Sequence, residues 1–130
     1  MAACQTDPGE LLVFFQPAPR ALPLYEALEA LLREQCPVLN IRVQKTQITF
    51  SNRHVFACVS LPGRKLGNQS DAALLLTFGL AFRLEHPRIA QAVEPYPGRW
   101  THHLLLHGAE ELDPQLMDWL RQAYGFSMAK

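Results

Sequence analysis

Apolar residues at helical spacing predict three helices, two near the N-terminus and one at the C-terminus. The clearest stripe runs from Leu22 to Gln35, where leucines recur at positions i, i+4, i+7 and i+8. A shorter helix is predicted before it, between Asp7 as a cap and Pro17 as a stop. The closing helix is predicted to begin after Asp113, which can cap it, and to end at Gly125.

Between these helices the apolar positions alternate with a period of two, as in the strands of a sheet. Residues 41–50 form the first of these strands, but the parity of its apolar positions changes midway, which predicts a bulge or kink at Gln44 to Gln47. Further strands are predicted at 55–61, 72–82 and 99–107. A polar loop at 62–71 and a short helix at 85–93, opened by Pro87, are predicted between them.

This order of elements predicts an α+β fold. We expect a single compact domain over residues 1–130, with an antiparallel sheet of about four strands and with the N-terminal and C-terminal helices packed on one face. Residues 1–9 are predicted to form a poorly ordered N-terminal tail.

Charge is distributed unevenly along a chain whose net charge is zero. Residues 37–103 hold eight basic and three acidic side chains, a net charge of +5, whereas residues 1–36 and 104–130 carry −3 and −2. An anion-binding face on the middle segment would explain the excess, as would charge balance between packed elements. No apolar run is long enough for a membrane span, and three scattered cysteines favour a reducing compartment, so we expect a cytoplasmic protein.

The segment Arg99 to His107 holds the richest set of functional side chains. On a helix, His103 and His107 would share a face at a spacing typical of zinc ligands, but the flanking glycines favour a strand. A strand separates these two residues by about 13 Å, so one metal ion cannot bridge them, and a metal site would need one of these histidines plus ligands from other elements. No metal ligand and no cofactor is predicted. On a strand, His102 and His103 point to opposite faces, and each is a candidate general base or ligand-binding residue. The alternative is one satisfied sheet histidine and one solvated histidine.

Lys45 and Thr46 lie at the predicted kink and form a second candidate site. The lysine ammonium and the threonine hydroxyl could bind an anion, and the alternative is a solvated edge. Arg99 would reach the same face if the two strands are neighbours. The predicted ligand-binding set therefore consists of Lys45, Thr46, Arg99, His102 and His103.

Several well-defined catalytic and binding motifs do not occur in the chain. It has no G-x-S-x-G nucleophile elbow, no G-x-x-x-x-G-K-[ST] or G-x-G-x-x-G phosphate loop, and no C-x-x-C pair. The sequence thus carries no signature of a hydrolase, a nucleotide-binding protein or a zinc ribbon.

The order of the motifs resembles that of a known family. Leu24 to Leu28 reads LYEAL, Val43 to Phe50 reads VQKTQITF, Pro97 to Leu104 reads PGRWTHHL, and Trp119-Leu120 lies in the closing helix. This arrangement is similar to a bacterial family of small domains of unknown function, whose sheet carries a K-T-x-I-x-F strand and an R-W-x-H-H-L strand. The resemblance covers residues 10–126. It implies one α+β domain in a bacterial cytoplasm, without an established activity, and its matching positions are Lys45, Thr46, Arg99, His102 and His103.

Three functional hypotheses remain open. The first is a non-enzymatic ligand-binding or accessory module with an anion-recognising patch. The second is a small enzyme that uses His102 or His103 as a general base beside Lys45, and the third is a metal-handling protein. Whether the chain is an enzyme is left open. The expected partner is a small anionic ligand or another protein rather than a membrane. Nucleic acid is weakly supported, and a homodimer formed through a sheet edge is compatible with the pattern.

Overall fold

The structure, a computed structural model, describes residues 8–61 and 73–129. Two helices come first, α1 (Pro8–Phe14) and α2 (Ala21–Gln35). The strands that follow are β1 (Asn40–Val43), β2 (Ile48–Ser51), β3 (Val55–Ser60), β4 (Leu74–Leu80), β5 (Ile89–Tyr96) and β6 (Arg99–Leu106). A short 3₁₀ helix (Ala109–Glu111) leads into α3 (Pro114–Ala129). The cap at Asp7, the polar loop at 62–71 and most of the predicted tail lie outside the described residues.

The six strands form one antiparallel sheet in the order β1-β2-β3-β4-β6-β5. The predicted α+β class with N-terminal and C-terminal helices is confirmed, but the sheet has six strands rather than about four. Strands β1 to β4 pair with their neighbours in sequence. β6 then pairs with β4 and leaves β5 at the edge of the sheet.

The first additional strand arises at the predicted kink. Residues 44–47 form a hairpin turn in which the Gln44 N–H donates to the Gln47 carbonyl at 2.8 Å. The change in parity therefore marks a reversal of chain direction, and the predicted bulge at this point is wrong. The register shift in this part of the sheet lies instead between Phe50 and Ser51, opposite Ala57 and Val55 of β3.

The second additional strand replaces the helix predicted at 85–93, which is wrong. β5 turns back through Pro97-Gly98, where Gly98 adopts a φ of +75°, a conformation that glycine allows without steric cost. This turn pairs Tyr96 with Arg99 and supplies β5 with a complete antiparallel partner. The backbone hydrogen bonds to β6 outweigh the local helix signal from Pro87.

The closing helix continues past Gly125 to Ala129, so its predicted end is wrong. Ser127 in the added turn is buried, and its hydroxyl oxygen lies 2.6 Å from Asn52 Oδ1 and 3.0 Å from the His54 carbonyl oxygen. These contacts hold the last turn of α3 against the β2–β3 turn, which explains why the helix does not stop at the glycine.

The hydrophobic core lies between the helices and one face of the sheet, which we call the helix face. Tyr25 of α2 stacks on Phe50 with ring centroids 6.2 Å apart, and Trp119 of α3 stacks on Phe78 at 6.4 Å. Alternate residues of the predicted strand at 72–82 contribute Leu74, Leu76, Phe78 and Leu80 to this core. Because both long helices cover the same side of the sheet, the fold is a two-layer arrangement in its described part.

A hydrogen-bond network fixes the start of α3. The predicted cap is confirmed, since the Leu116 N–H donates to Asp113 Oδ1 at 3.0 Å. Arg88 donates to both carboxylate oxygens of Asp113, at 3.0 and 3.1 Å, and to the Glu111 carbonyl at 2.8 Å. Its guanidinium also lies 5.7 Å from the centroid of Trp119. One arginine thus joins the loop before β5 to the helix that covers the core.

Replacing Arg88 with methionine is expected to lower the thermal unfolding midpoint by roughly 5 °C, because the apolar stem remains while the hydrogen bonds are lost. Arg20→Met, at an exposed position, is the matched control.

The Leu116 N–H and the Arg88 guanidinium hold the pKa of Asp113 below its ordinary value of 3.8. The stabilisation of the fold by the ionised Asp113 carboxylate is therefore present above pH 3.8 and is lost as the pH falls through the lowered pKa. Scanning calorimetry should show that the difference in midpoint between wild type and Arg88→Met becomes smaller as the pH falls below 3.8, and an equal midpoint for all three proteins at pH 7 would contradict the expectation.

Candidate functional site

The two adjacent histidines of β6 lie on opposite faces of the sheet, as the sequence predicts. His102 pairs with Phe78 of β4 and His103 pairs with Thr77. His102 is fully buried on the helix face, whereas His103 is half-buried on the other side. The two imidazoles therefore act in different environments and cannot serve one site together.

His102 has the contacts of a structural residue. Its Nε2 accepts the Leu84 N–H at 2.8 Å, and its ring stacks on Phe78 with centroids 5.2 Å apart. Since Nε2 is an acceptor, the neutral ring carries its proton on Nδ1. Burial lowers the pKa of His102 below its ordinary value, so the neutral form is favoured. A histidine enclosed in this way cannot contact a substrate.

We call the face of the sheet that points away from the hydrophobic core the second face. One row of side chains in register crosses this face over all six strands. The row consists of Arg42, Thr49, Cys58, Thr77, His103 and Gln91. This row is polar across the middle of the sheet, and we therefore take it as the candidate functional site.

Thr77 is the centre of this row. Its Oγ1 lies 3.0 Å from Nδ1 of His103, within hydrogen-bonding distance. Burial lowers the pKa of His103, which favours the neutral ring. On the other side of Thr77, burial raises the pKa of Cys58, and a weaker hydrogen bond with Thr77 partly opposes that rise. At neutral pH the row thus presents a protonated thiol, a hydroxyl and a neutral imidazole.

A hollow opens beside this row because Gly79 has no side chain. It has a volume of about 280 Å³, and we call it the Gly79 hollow. Its polar lining is Cys58, Thr77, Tyr96, Arg99 and Thr101, and rings of Phe56, Trp100 and Phe126 supply apolar surface. A Cβ atom built on Gly79 would have the Trp100 carbonyl oxygen at 3.8 Å as its nearest neighbour, which is ordinary contact. A Cβ atom is thus accommodated at this position, on the side where the hollow opens.

The charged residue in the described lining of the Gly79 hollow is Arg99. Arg99 is exposed and forms no ion pair with a carboxylate in the described part of the chain. Glu94, the acidic residue of β5, accepts the Gly98 N–H at 3.0 Å instead. The row of six residues contains Arg42 and no aspartate or glutamate. The second face is therefore suited to a negatively charged group.

The structure does not bring the predicted ligand-binding residues together. Lys45 and Thr46 lie in the β1–β2 turn and line a separate cavity of about 750 Å³ beside α1. In the sheet register this turn is at one end, next to Ile48, and Arg99 is at the opposite end of a strand three places away. The two positions are separated by roughly 20 Å or more at standard strand spacings. The expected patch around Lys45 is therefore wrong as a single site, and so is a general-base histidine beside that lysine.

Residues 8–61 and 73–129 contain no group of three or more histidine, cysteine, aspartate or glutamate side chains placed to hold a metal ion. No helix within those ranges combines the length and apolarity that crossing a membrane requires.

Sequence reasoning missed Cys58, Thr77 and Gly79 as members of the site. The signal was present in the strand LLLTFGL, where alternate positions on one face are leucine, threonine and glycine. A hydroxyl and a missing side chain on an otherwise leucine-rich strand indicate a position that does not serve the core.

Comparison with known protein families identifies the family of the chain. The model of a family described as a domain of unknown function (DUF5655) matches residues 13–127, close to the extent of the resemblance seen in the sequence. No curated protein and no solved structure matched the chain.

Proposed function

Because the chain belongs to the DUF5655 family of domains of unknown function, the site alone can indicate its activity, and we propose that the domain binds a small organic carboxylate in the Gly79 hollow. The observation that carries this proposal is the lining of the hollow, in which two threonine hydroxyls and Arg99, which forms no ion pair with any described carboxylate, surround a space beside a glycine.

The chemistry of the lining favours a carboxylate. A guanidinium offers two parallel N–H donors that match the two oxygens of a carboxylate, and Arg99 has these donors available. The hydroxyls of Thr77 and Thr101 can each donate one hydrogen bond. The aromatic rings at the border of the hollow suit a compact apolar body attached to the charged group.

The size of the hollow limits the ligand. The volume of about 280 Å³ lies just below the range for small-molecule sites, which run from about 300 to 1,000 Å³. A benzoate-sized molecule is the appropriate class, whereas a nucleotide or a peptide would extend well beyond the hollow.

Binding fits the site better than catalysis does. The thiolate is the nucleophilic form of cysteine, and burial raises the pKa of Cys58, so the thiol is protonated at neutral pH. His102 is enclosed on the helix face. The described residues of the hollow thus provide recognition groups and no activated nucleophile.

The proposal predicts that benzoate shifts the amide resonances of Thr77, Gly79 and Thr101 in a two-dimensional nuclear magnetic resonance titration. Arg99→Gln should weaken benzoate binding at least tenfold, since a charged hydrogen bond is worth about 1.5–3 kcal/mol. Gly79→Leu should abolish binding because the new side chain fills the hollow. Arg42→Gln, on the same face but on another strand, should change the affinity less than twofold. Unperturbed spectra at millimolar benzoate, or equal affinities for wild type and Gly79→Leu, would refute the proposal.

A further inference from the structure

The hydrogen bond between Thr77 and His103 gives the Gly79 hollow a property that its lining alone does not show. Thr77 lines the hollow, whereas His103 does not. The two side chains meet at 3.0 Å, between Oγ1 and Nδ1. The state of a group beside the hollow thus determines which way a hydroxyl within its lining points.

A threonine hydroxyl has one hydrogen to donate. If Nδ1 of His103 carries no proton, the hydroxyl donates to that nitrogen and turns only its lone pairs toward the hollow. When the neutral ring carries its proton on Nε2, protonation of Nδ1 gives an imidazolium that donates to Oγ1, and the hydroxyl hydrogen is released to donate elsewhere. A carboxylate accepts hydrogen bonds and cannot donate them, so it is compatible only with the second arrangement.

The surroundings of His103 allow this change. On the second face its neighbours are Thr77 of β4 and Gln91 of β5, and along β6 they are Thr101 and Leu105. The titratable and charged groups nearest to this set are Cys58, beyond Thr77, His102 on the opposite face, and Arg99, about 13 Å along the strand. No described carboxylate faces the ring, and burial keeps it neutral in the free protein. A bound carboxylate would supply a negative charge near the ring, which stabilises the imidazolium.

We propose that His103 is a positioning residue that couples carboxylate binding in the Gly79 hollow to the uptake of one proton, through the Thr77 hydroxyl. This inference rests on the proposed function and deepens it, because it specifies that the ligand is bound as an anion together with a proton. By linkage, the affinity for the carboxylate rises as the pH falls toward the range in which His103 can be protonated.

The expected size of the effect follows from the stoichiometry of one proton. As the pH is lowered from 7.5 to 5.5, the dissociation constant of benzoate should fall by up to tenfold for each pH unit. Carboxylic acids stay ionised above about pH 5, so the ligand itself does not titrate in this range. Calorimetry of the same binding reaction in two buffers with different ionisation enthalpies should show the uptake of up to one proton.

Four variants of the full chain separate the hydrogen-bond path from a general charge effect. His103→Gln and Thr77→Val should both bind benzoate with an affinity that does not vary with pH. For Thr77→Val this is expected even though the imidazole of His103 is still present. Thr77→Ser restores a hydroxyl at the same position and should restore the pH dependence. His54→Gln, an exposed histidine in the β2–β3 turn, is the control that should behave as wild type.

The outcomes distinguish this inference from the function on which it rests. Binding that is independent of pH in the wild type overturns the coupling and leaves the carboxylate site standing. It is also the result expected if the neutral ring keeps its proton on Nδ1. A pH dependence that persists in Thr77→Val means that the imidazole acts at a distance, which overturns the role given to the hydroxyl. Absence of benzoate binding at every pH overturns both proposals. Amide spectra of each variant establish that it is folded.

Discussion

Replacing Phe78 with alanine is expected to lower the free energy of unfolding by about 3–5 kcal/mol, a large part of the 5–15 kcal/mol typical of a small domain. The Phe78 ring is 1% exposed and lies between two other rings, with His102 at 5.2 Å and Trp119 at 6.4 Å. Its removal leaves a cavity where α3 meets the middle of the sheet. The surrounding strands cannot collapse into that cavity without losing their register.

Equilibrium unfolding in urea measures this effect, and Phe82→Ala is the matched control. Phe82 is 48% exposed, so the same chemical change there should cost less than about 0.5 kcal/mol. Equal losses for the two variants would contradict the packing described for the helix face. A changed dependence on urea concentration would indicate a loss of two-state behaviour rather than a simple loss of packing.

The second large effect is on the pH dependence of stability. Burial holds the pKa of His102 below its ordinary value of 6.5. Between that lowered pKa and 6.5, the unfolded chain binds a proton that the folded chain does not. The free energy of unfolding therefore falls as the pH decreases through this window, and the stabilisation is fully present above pH 6.5. The limiting slope is about 1.4 kcal/mol per pH unit for one such group.

His102→Gln should remove the contribution of this residue. The glutamine amide can still accept a hydrogen bond from the Leu84 N–H but does not titrate in this range. The slope of the free energy of unfolding against pH, between pH 7.5 and 5, should therefore become shallower by the equivalent of up to one proton. The lowered pKa of His103 leaves a remaining slope of the same sign. His54→Gln should unfold with the pH dependence of the wild type. Parallel curves for wild type and His102→Gln would show that the buried imidazole does not determine the acid sensitivity.

The parts of the fold that the sequence predicts are those whose signal is local. The leucine stripe of α2 and the cap at Asp113 each specify a helix without reference to the rest of the chain, and both are confirmed. The opposite directions of His102 and His103 also follow from local alternation. Such features need only a few consecutive residues to be stable.

The parts that the sequence analysis missed depend on partners distant along the chain. Residues 89–96 form a strand because the turn at Gly98 reverses the chain and allows them to pair with β6. The closing helix continues beyond Gly125 because Ser127 forms hydrogen bonds with the β2–β3 turn. The same is true of the candidate site. Lys45 and Arg99 are both basic and both adjoin strands, but the order of six strands places them at opposite ends of the sheet.

The position of β5 at the edge of the sheet, outside β6, affects the dynamics of the second face. Because β6 pairs with β4 on one side and with β5 on the other, the strand that carries His103 has hydrogen-bonded neighbours along both edges. An outermost strand frays readily, whereas an interior strand separates only in rarer openings that break two ladders at once. β5 is the outermost strand on this side, so Thr77 and His103 lie on two interior strands whose relative placement is lost only in those rarer openings.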